Sequence, residues 1–307
     1  MEKYTEKFDV LNFLVRDDKW YLGGGNRVIW TPIFPVWLDI PGFWDEGSFY
    51  QFPIKPVFTI TLLDEKGEQV ITRFIRREWR PGELHQYYST DRNIEIMEIK
   101  SVSHPDSFTS HLKIKNTSEE IFRLNIIMWT SLESFPSGKE NFISDIGFDG
   151  SRISFKVNIK YHNMPLYSFF CCMGVSRKIA SYSINISQPT ANLPHWKYTP
   201  FYEKFEGGKL PDEIKIDGST SDGLIYMALH SQIEIEPDGE EEIVCSASYG
   251  LSAQEVREYL RSASVSPKGG SIKVWKEYFS HLPFFHCSNQ YITKYYWYRW
   301  YGLRLFT

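Results

Sequence analysis

The 307 residues hold no Gly-x-Ser-x-Gly turn, no His-Glu-x-x-His pair and no Gly-x-Gly-x-x-Gly at a strand-to-helix junction. Those absences remove the usual sequence signatures of serine hydrolases, zinc peptidases and dinucleotide enzymes. Cysteine is scarce: Cys171, Cys172, Cys245 and Cys287, two of them adjacent and none paired at metal-ligand spacing. They read as buried thiols in a reducing compartment. Excess charge is also missing, with 34 Lys and Arg against 38 Asp and Glu, a net of −4. Nothing here makes a nucleic-acid surface. The start, Met1-Glu-Lys-Tyr-Thr-Glu-Lys7, lacks the apolar run of a secretory leader, so the expected location is cytoplasmic. The sequons at Asn116-Thr-Ser and Asn185-Ile-Ser are then chance matches. The eight histidines are scattered, and no motif asks for a cofactor or a metal.

Aromatics are what the chain has in surplus: 10 Trp, 19 Tyr and 22 Phe. They crowd most densely into Tyr291-Ile-Thr-Lys-Tyr-Tyr-Trp-Tyr-Arg-Trp-Tyr-Gly-Leu-Arg-Leu-Phe306. At 3.6 residues per turn, Tyr291, Tyr295, Tyr298 and Leu305 share one stripe. Tyr296, Trp300 and Leu303 share a second, and Trp297 and Tyr301 a third. A helix with no polar side is buried on several sides, and this one is too short and too rich in Tyr and Arg to span a membrane. It reads as the first helix of a large helical domain that is mostly absent or supplied by another chain. Left in water, it is expected to self-associate. Arg299, in a helix without a solvent face, is expected to be buried, either paired with an acid across an interface or holding substrate hydroxyls or orienting a catalytic carboxylate.

Upstream, the pattern is β. Residues 8–22 suggest a short strand. Gly23-Gly-Gly-Asn26-Arg27 is followed by Val28-Ile-Trp-Thr-Pro32, not by the helix a phosphate loop needs, so it reads as a tight loop. Trp30 to Gly47 is an irregular loop with three prolines before Gly42 and three tryptophans. Trp30, Trp37 and Trp44 either anchor that loop or stack on pyranose rings, with Asp39, Asp45 or Glu46 accepting sugar hydroxyls. Residues 57–63 and 69–74 suggest a hairpin around Asp64-Glu-Lys-Gly67. Alternating strands then run to Tyr249 without intervening helices. The fold class is mainly β, a large two-sheet antiparallel sandwich. Residues 188–213 form a long aromatic connection.

The period changes at Ser252-Ala-Gln-Glu255, a capping box opening a helix to about Ala263. Val265 to Gly270 is a linker. Ile272, Trp275, Phe279 and Leu282 face one side of a second helix, stopped by Pro283. The expected division is a sandwich over 1–250 and helical segments over 251–307.

This order of parts resembles glycoside hydrolases in which a β-sandwich precedes an (α/α)6 barrel, of the amylo-α-1,6-glucosidase, α-glucosidase and trehalase-like kind. The resemblance rests on Trp275-x-x-Tyr-Phe-x-x-Leu-Pro-x-Phe and the Tyr/Trp/Arg helix, with Pro41-Gly-Phe-Trp-Asp45 and Arg77-Glu-Trp-Arg-Pro81 as similar segments. It implies that the C-terminal helices begin or dock to such a barrel. It also implies a carbohydrate substrate, with Tyr296, Trp297, Arg299 and Trp300 lining or supporting the sugar pocket and residues 30–46 closing one side. The acid and base of such enzymes come from later helices, so none is assigned here. Two rival readings remain. One is a self-contained carbohydrate-binding or mutarotase-like sandwich, which needs a groove with its own His and carboxylates. The other is a structural protein that docks through its aromatic helix.

Overall fold

The computed structural model describes residues 8–103, 105–138, 141–160, 165–187, 192–205, 208–216, 222–265 and 269–306. The first seven residues, whose composition argued against a leader, lie outside them. The chain opens with a helical turn, Val10–Phe13 (α1), followed by short strands Val28–Ile29 (β1), Gly42–Phe43 (β2), Gly47–Phe49 (β3) and Phe52–Ile54 (β4). Longer strands come next: Phe58–Asp64 (β5), Thr72–Arg80 (β6), Glu83–Thr90 (β7), Ile94–Ser103 (β8), Ser107–Asn116 (β9) and Phe122–Ser134 (β10). The β region closes with Phe142–Phe148 (β11), Arg152–Ile159 (β12), Tyr167–Val175 (β13), Ser181–Ser187 (β14), Glu213–Lys215 (β15), Gly223–Ile235 (β16) and Glu240–Gly250 (β17). Three helices finish the chain: Ala253–Val265 (α2), Gly269–Ser280 (α3) and Gln290–Leu305 (α4).

Two large sheets pack face to face, as the alternation predicts. One has the order β11-β12-β13-β17-β9-β8-β7-β6 and the other β15-β14-β16-β10-β5-β2. Every pairing is antiparallel except β14 with β15. Side chains at every second position fill the layer between them, such as Ile60, Ile126, Met128 and Met227 from the smaller sheet. Leu112, Ile114, Ile243 and Tyr249 face them from the larger.

Two local expectations fail. Residues 8–13 are not strand, because the Asp9 carboxylate accepts from the amides of Leu11 and Asn12 and caps a helical turn. The hairpin after β5 closes its turn, with Asp64 Oδ1 accepting from the Lys66 and Glu68 amides. Beyond the single bridge Leu63 to Gln69 the chain leaves, and β6 pairs with β7 in the other sheet.

Both outer faces are covered in part. Residues 37–44 and the connection around Trp196, Phe201 and Leu210 pack on Trp129, Tyr226 and Ile127 of the smaller sheet. Val256 and Leu260 of α2 cover Cys172 of the larger. The capping box forms with one change: Ser252 Oγ accepts from the Glu255 amide, but Glu255 Oε2 takes the amide of Leu251. Both sequon asparagines are buried, their side-chain amides bonded to Glu120 O and Ile235 O or to Ser183 Oγ and Glu213 Oε1.

The glycine run is the tight loop expected. Gly24 has φ +127°, and a Cβ there would stand 2.5 Å from the Trp275 ring, a backbone state open only to glycine in practice. Trp275 of α3 donates to Gly23 O at 3.0 Å. Arg27 then clamps distant parts: its Nε meets Asp106 at 2.6 Å and its Nη2 meets Glu255 at 2.5 Å. Trp275, Phe279, Trp297, Tyr301 and Leu305 belong to the same continuous core as the sheets.

Candidate functional site

The loop over 30–48 builds one wall of a cavity of about 740 Å³. Its shape is set from beneath. Asp45 accepts from the amides of Val36 at 2.9 Å and Trp37 at 3.0 Å. Lys100, with 0% of its surface exposed, donates to Leu38 O and Ile40 O. Gln86 adds a third bond, to Leu38 O. Glu98, also wholly buried, accepts from Gly42 N, Tyr88 Oη and Ser110 Oγ and lies 3.7 Å from the Lys100 ammonium. Burial lowers the pKa of Lys100, while the Glu98 carboxylate opposes that shift.

The predicted loop residues separate by role. Trp30 and Trp44 are buried anchors: Trp30 lies edge-on to Phe43, and Trp44 meets Trp129 at 5.0 Å. Trp44 and Asp45 line the cavity, yet both Asp45 oxygens are occupied by backbone amides. Trp37 is half-buried, lines the cavity and stands edge-on to the exposed His195. Asp39 does not line the cavity; it is exposed and pairs with Arg77 at 2.7 Å. Glu46, also exposed, is the carboxylate at the cavity that no backbone group occupies among the described residues. Ile33, Phe34 and Val36 stand out at the rim, Phe34 with 89% of its surface exposed. Glycoside hydrolysis needs two carboxyl groups on opposite sides of a bond. Asp45 and Glu46 are adjacent and one is committed, so they do not form such an opposed pair.

The terminal helix meets the same cavity only at Phe306. Asn289 caps it, accepting from the amides of Tyr291 and Ile292. It buries one stripe, Thr293, Trp297, Tyr301 and Leu305. The opposite side is open: Tyr291, Tyr295 and Phe306 are 86%, 65% and 67% exposed. Trp297 is a core residue on a second cavity of about 330 Å³, beside Phe8 and Phe284. Tyr296 is half-buried and donates to Pro283 O. Trp300 is half-buried, and its carbonyl accepts from Tyr278 Oη. Arg299 departs from the expected burial. It is exposed, its guanidinium 5.8 Å from the Tyr295 ring and in no ion pair among the described residues. The helix has a solvent face after all, because only one stripe is fully buried, with Tyr296, Tyr298 and Trp300 half-covered at its flanks. The structure therefore brings Trp37, Trp44 and Asp45 to one cavity and leaves Tyr296, Trp297, Arg299 and Trp300 apart from it.

Other clusters were candidates for chemistry. Ser181 Oγ lies 2.8 Å from His230 Nδ1, and His230 Nε2 lies 3.0 Å from Asn125 Oδ1. The order mimics nucleophile, base and orienting group. All three are buried, however, and Ser181 Oγ already accepts from Leu210 N. Burial pushes the His230 ring down to about 4, so it stays neutral. On the outward face of the larger sheet, His111 meets Glu242 at 2.7 Å and His85 meets Glu83 at 2.8 Å. Neither pair lines the two cavities above. Among the described residues, no three His, Cys, Asp or Glu gather as a metal site, and no helix is long and apolar enough to cross a membrane.

No family model and no curated protein matches the sequence. Solved structures do. A chain assigned as a kojibiose phosphorylase, from the human microbiome, aligns with 95% of this chain and 41% of its own at 11% identity and TM-score 0.55. A bacterial glucoamylase solved with acarbose aligns over 94% and 41%, at 13% identity and TM-score 0.48. An α-mannosidase of family GH92 from Bacteroides thetaiotaomicron aligns over 97% and 41%, at 9% identity and TM-score 0.47. The first of these establishes a shared fold. The chain spans about two-fifths of the length of each.

Proposed function

We propose that this chain is the N-terminal, non-catalytic part of a glycoside hydrolase acting on α-linked glucosides or related oligosaccharides. In this reading residues 1–250 form a collar, and residues 251–307 lead into or dock against an (α/α)6 catalytic domain. One observation carries it: α4 buries Thr293, Trp297, Tyr301 and Leu305 but leaves Tyr291, Tyr295 and Phe306 in water. An aromatic face of that kind marks an interaction surface. The cavity beside Phe306 supports the same reading, because Trp37 and Glu46 offer a ring face and an acceptor suited to a sugar. Buried, unpaired thiols at Cys171, Cys172 and Cys245 fit a cytoplasmic setting.

The test is activity in two formats. The 307-residue chain alone should leave α-linked gluco-oligosaccharides intact. The same chain expressed with the reading frame that follows it, fused or as a second polypeptide, should hydrolyse them. Hydrolysis by the chain alone, or none in either format, would refute the proposal.

A further inference from the structure

The open side of α4 has a definite shape. Tyr295, Arg299, Gly302 and Phe306 follow one another at intervals of four, three and four residues, along a single stripe. Gly302 lies in its middle. A Cβ built there meets nothing within 4 Å, so no contact among the described residues requires glycine. Nor does it cap the helix, since the C-cap is Phe306 with φ −106°. Glycine in an exposed helix interior costs about 1 kcal/mol against alanine. What it provides is a shallow notch between Tyr295, Arg299, Leu303 and Phe306, where a second helix axis can approach closely.

The charge on this stripe says which helix. α4 contains Lys294, Arg299 and Arg304 and no Asp or Glu. Lys294 lies over the Phe13 ring and Arg304 over the Tyr278 ring. Arg299 stays on the open stripe without a carboxylate among the described residues. Two copies of α4 laid together would set cation against cation. A helix carrying a carboxylate beside a small-residue crossing point matches instead.

We propose that the open stripe of α4 receives an acidic amphipathic helix that crosses at Gly302 and pairs a carboxylate with Arg299. This rests on the reading of α4 as a docking element and adds the crossing point and the chemistry of the partner. The helix would continue past Phe306 to the rim of the cavity formed by the 30–48 loop, because Phe306 belongs to both surfaces.

The probes are two stapled helical peptides with an Ala/Leu stripe, differing only in a Glu or a Lys one turn from the central Ala. Each is titrated into the 307-residue chain at low ionic strength and followed by fluorescence anisotropy of a label on the peptide. The Glu peptide should bind roughly three- to tenfold more tightly than the Lys peptide. Arg299→Glu, at an exposed site, should reverse that order. Gly302→Leu should weaken both peptides at least about tenfold by filling the notch. Equal binding of the two peptides, or indifference to Gly302→Leu, would overturn the inference. So would a dimer of the chain that Gly302→Leu dissolves, since the occupant would then be a second copy. Loss of this result with hydrolysis intact in the longer format would sink the crossing geometry and spare the proposed function. Peptide selectivity without hydrolysis would do the reverse.

Discussion

His230 is a buried titratable residue whose environment moves it well away from its ordinary state, and it does not line the candidate site. Its ring is held by Ser181 and Asn125 and packed on Phe205. Burial lowers its pKa to about 4 from 6.5, and Asp212 opposes that shift. Between those values the unfolded chain binds a proton that the folded chain refuses. This contribution, about 3 kcal/mol, is fully present above pH 6.5 and is lost as the pH falls to about 4. Urea midpoints measured across that range should fall with acidification, and His230→Gln should flatten the slope. A variant with an unchanged slope would remove His230 as the cause. The Ser181, His230 and Asn125 chain was not legible in the sequence, because its members lie on three strands separated by as many as 105 residues. Lys100 and Glu98 were hidden for a different reason. Ile94-Glu-Ile-Met-Glu-Ile-Lys alternates, but Glu98 and Lys100 share the inward side with Ile94 and Ile96. A charged residue at an inward position reads as a register break until its partners, here the carbonyls of Leu38 and Ile40, are seen.

At the scale of elements, local signals fared well where the chemistry was local. The capping box, the Trp275 and Phe279 face and the stop at Pro283 all depend on neighbours within a few residues, and all are realised. The stretch over 8–13 was misread because one aspartate outweighs its apolar alternation, and β6 because strand partners are chosen across the molecule. The aromatic helix was half legible. Composition revealed that it needs cover, but not that its own chain fully buries only one stripe. Two glycines on the elements that meet here should respond oppositely to the same substitution. Gly24→Ala puts a methyl 2.5 Å from the Trp275 ring at φ +127° and should cost about 2–4 kcal/mol. Gly302→Ala meets open space and should stabilise the isolated chain by up to about 1 kcal/mol. Thermal melts of the two variants decide this; equal shifts would mean that neither environment is as described.

For the whole molecule, the sandwich was readable because its strands are long, alternating and divided by turns. The sheets and the terminal helices share one core. A shared core predicts that tryptophan fluorescence and far-ultraviolet dichroism report one coincident unfolding transition. An early transition confined to the helices would contradict it. The Arg27 clamp has a further consequence, in time rather than in space. Its second carboxylate, Glu255, lies 228 residues downstream. On a ribosome, the glycine loop and the first strand must wait for those 228 further residues to emerge before they can be locked. Until then Arg27 holds only the nearer acid, Asp106, and the opening segment is the last part of the sandwich to close rather than the first.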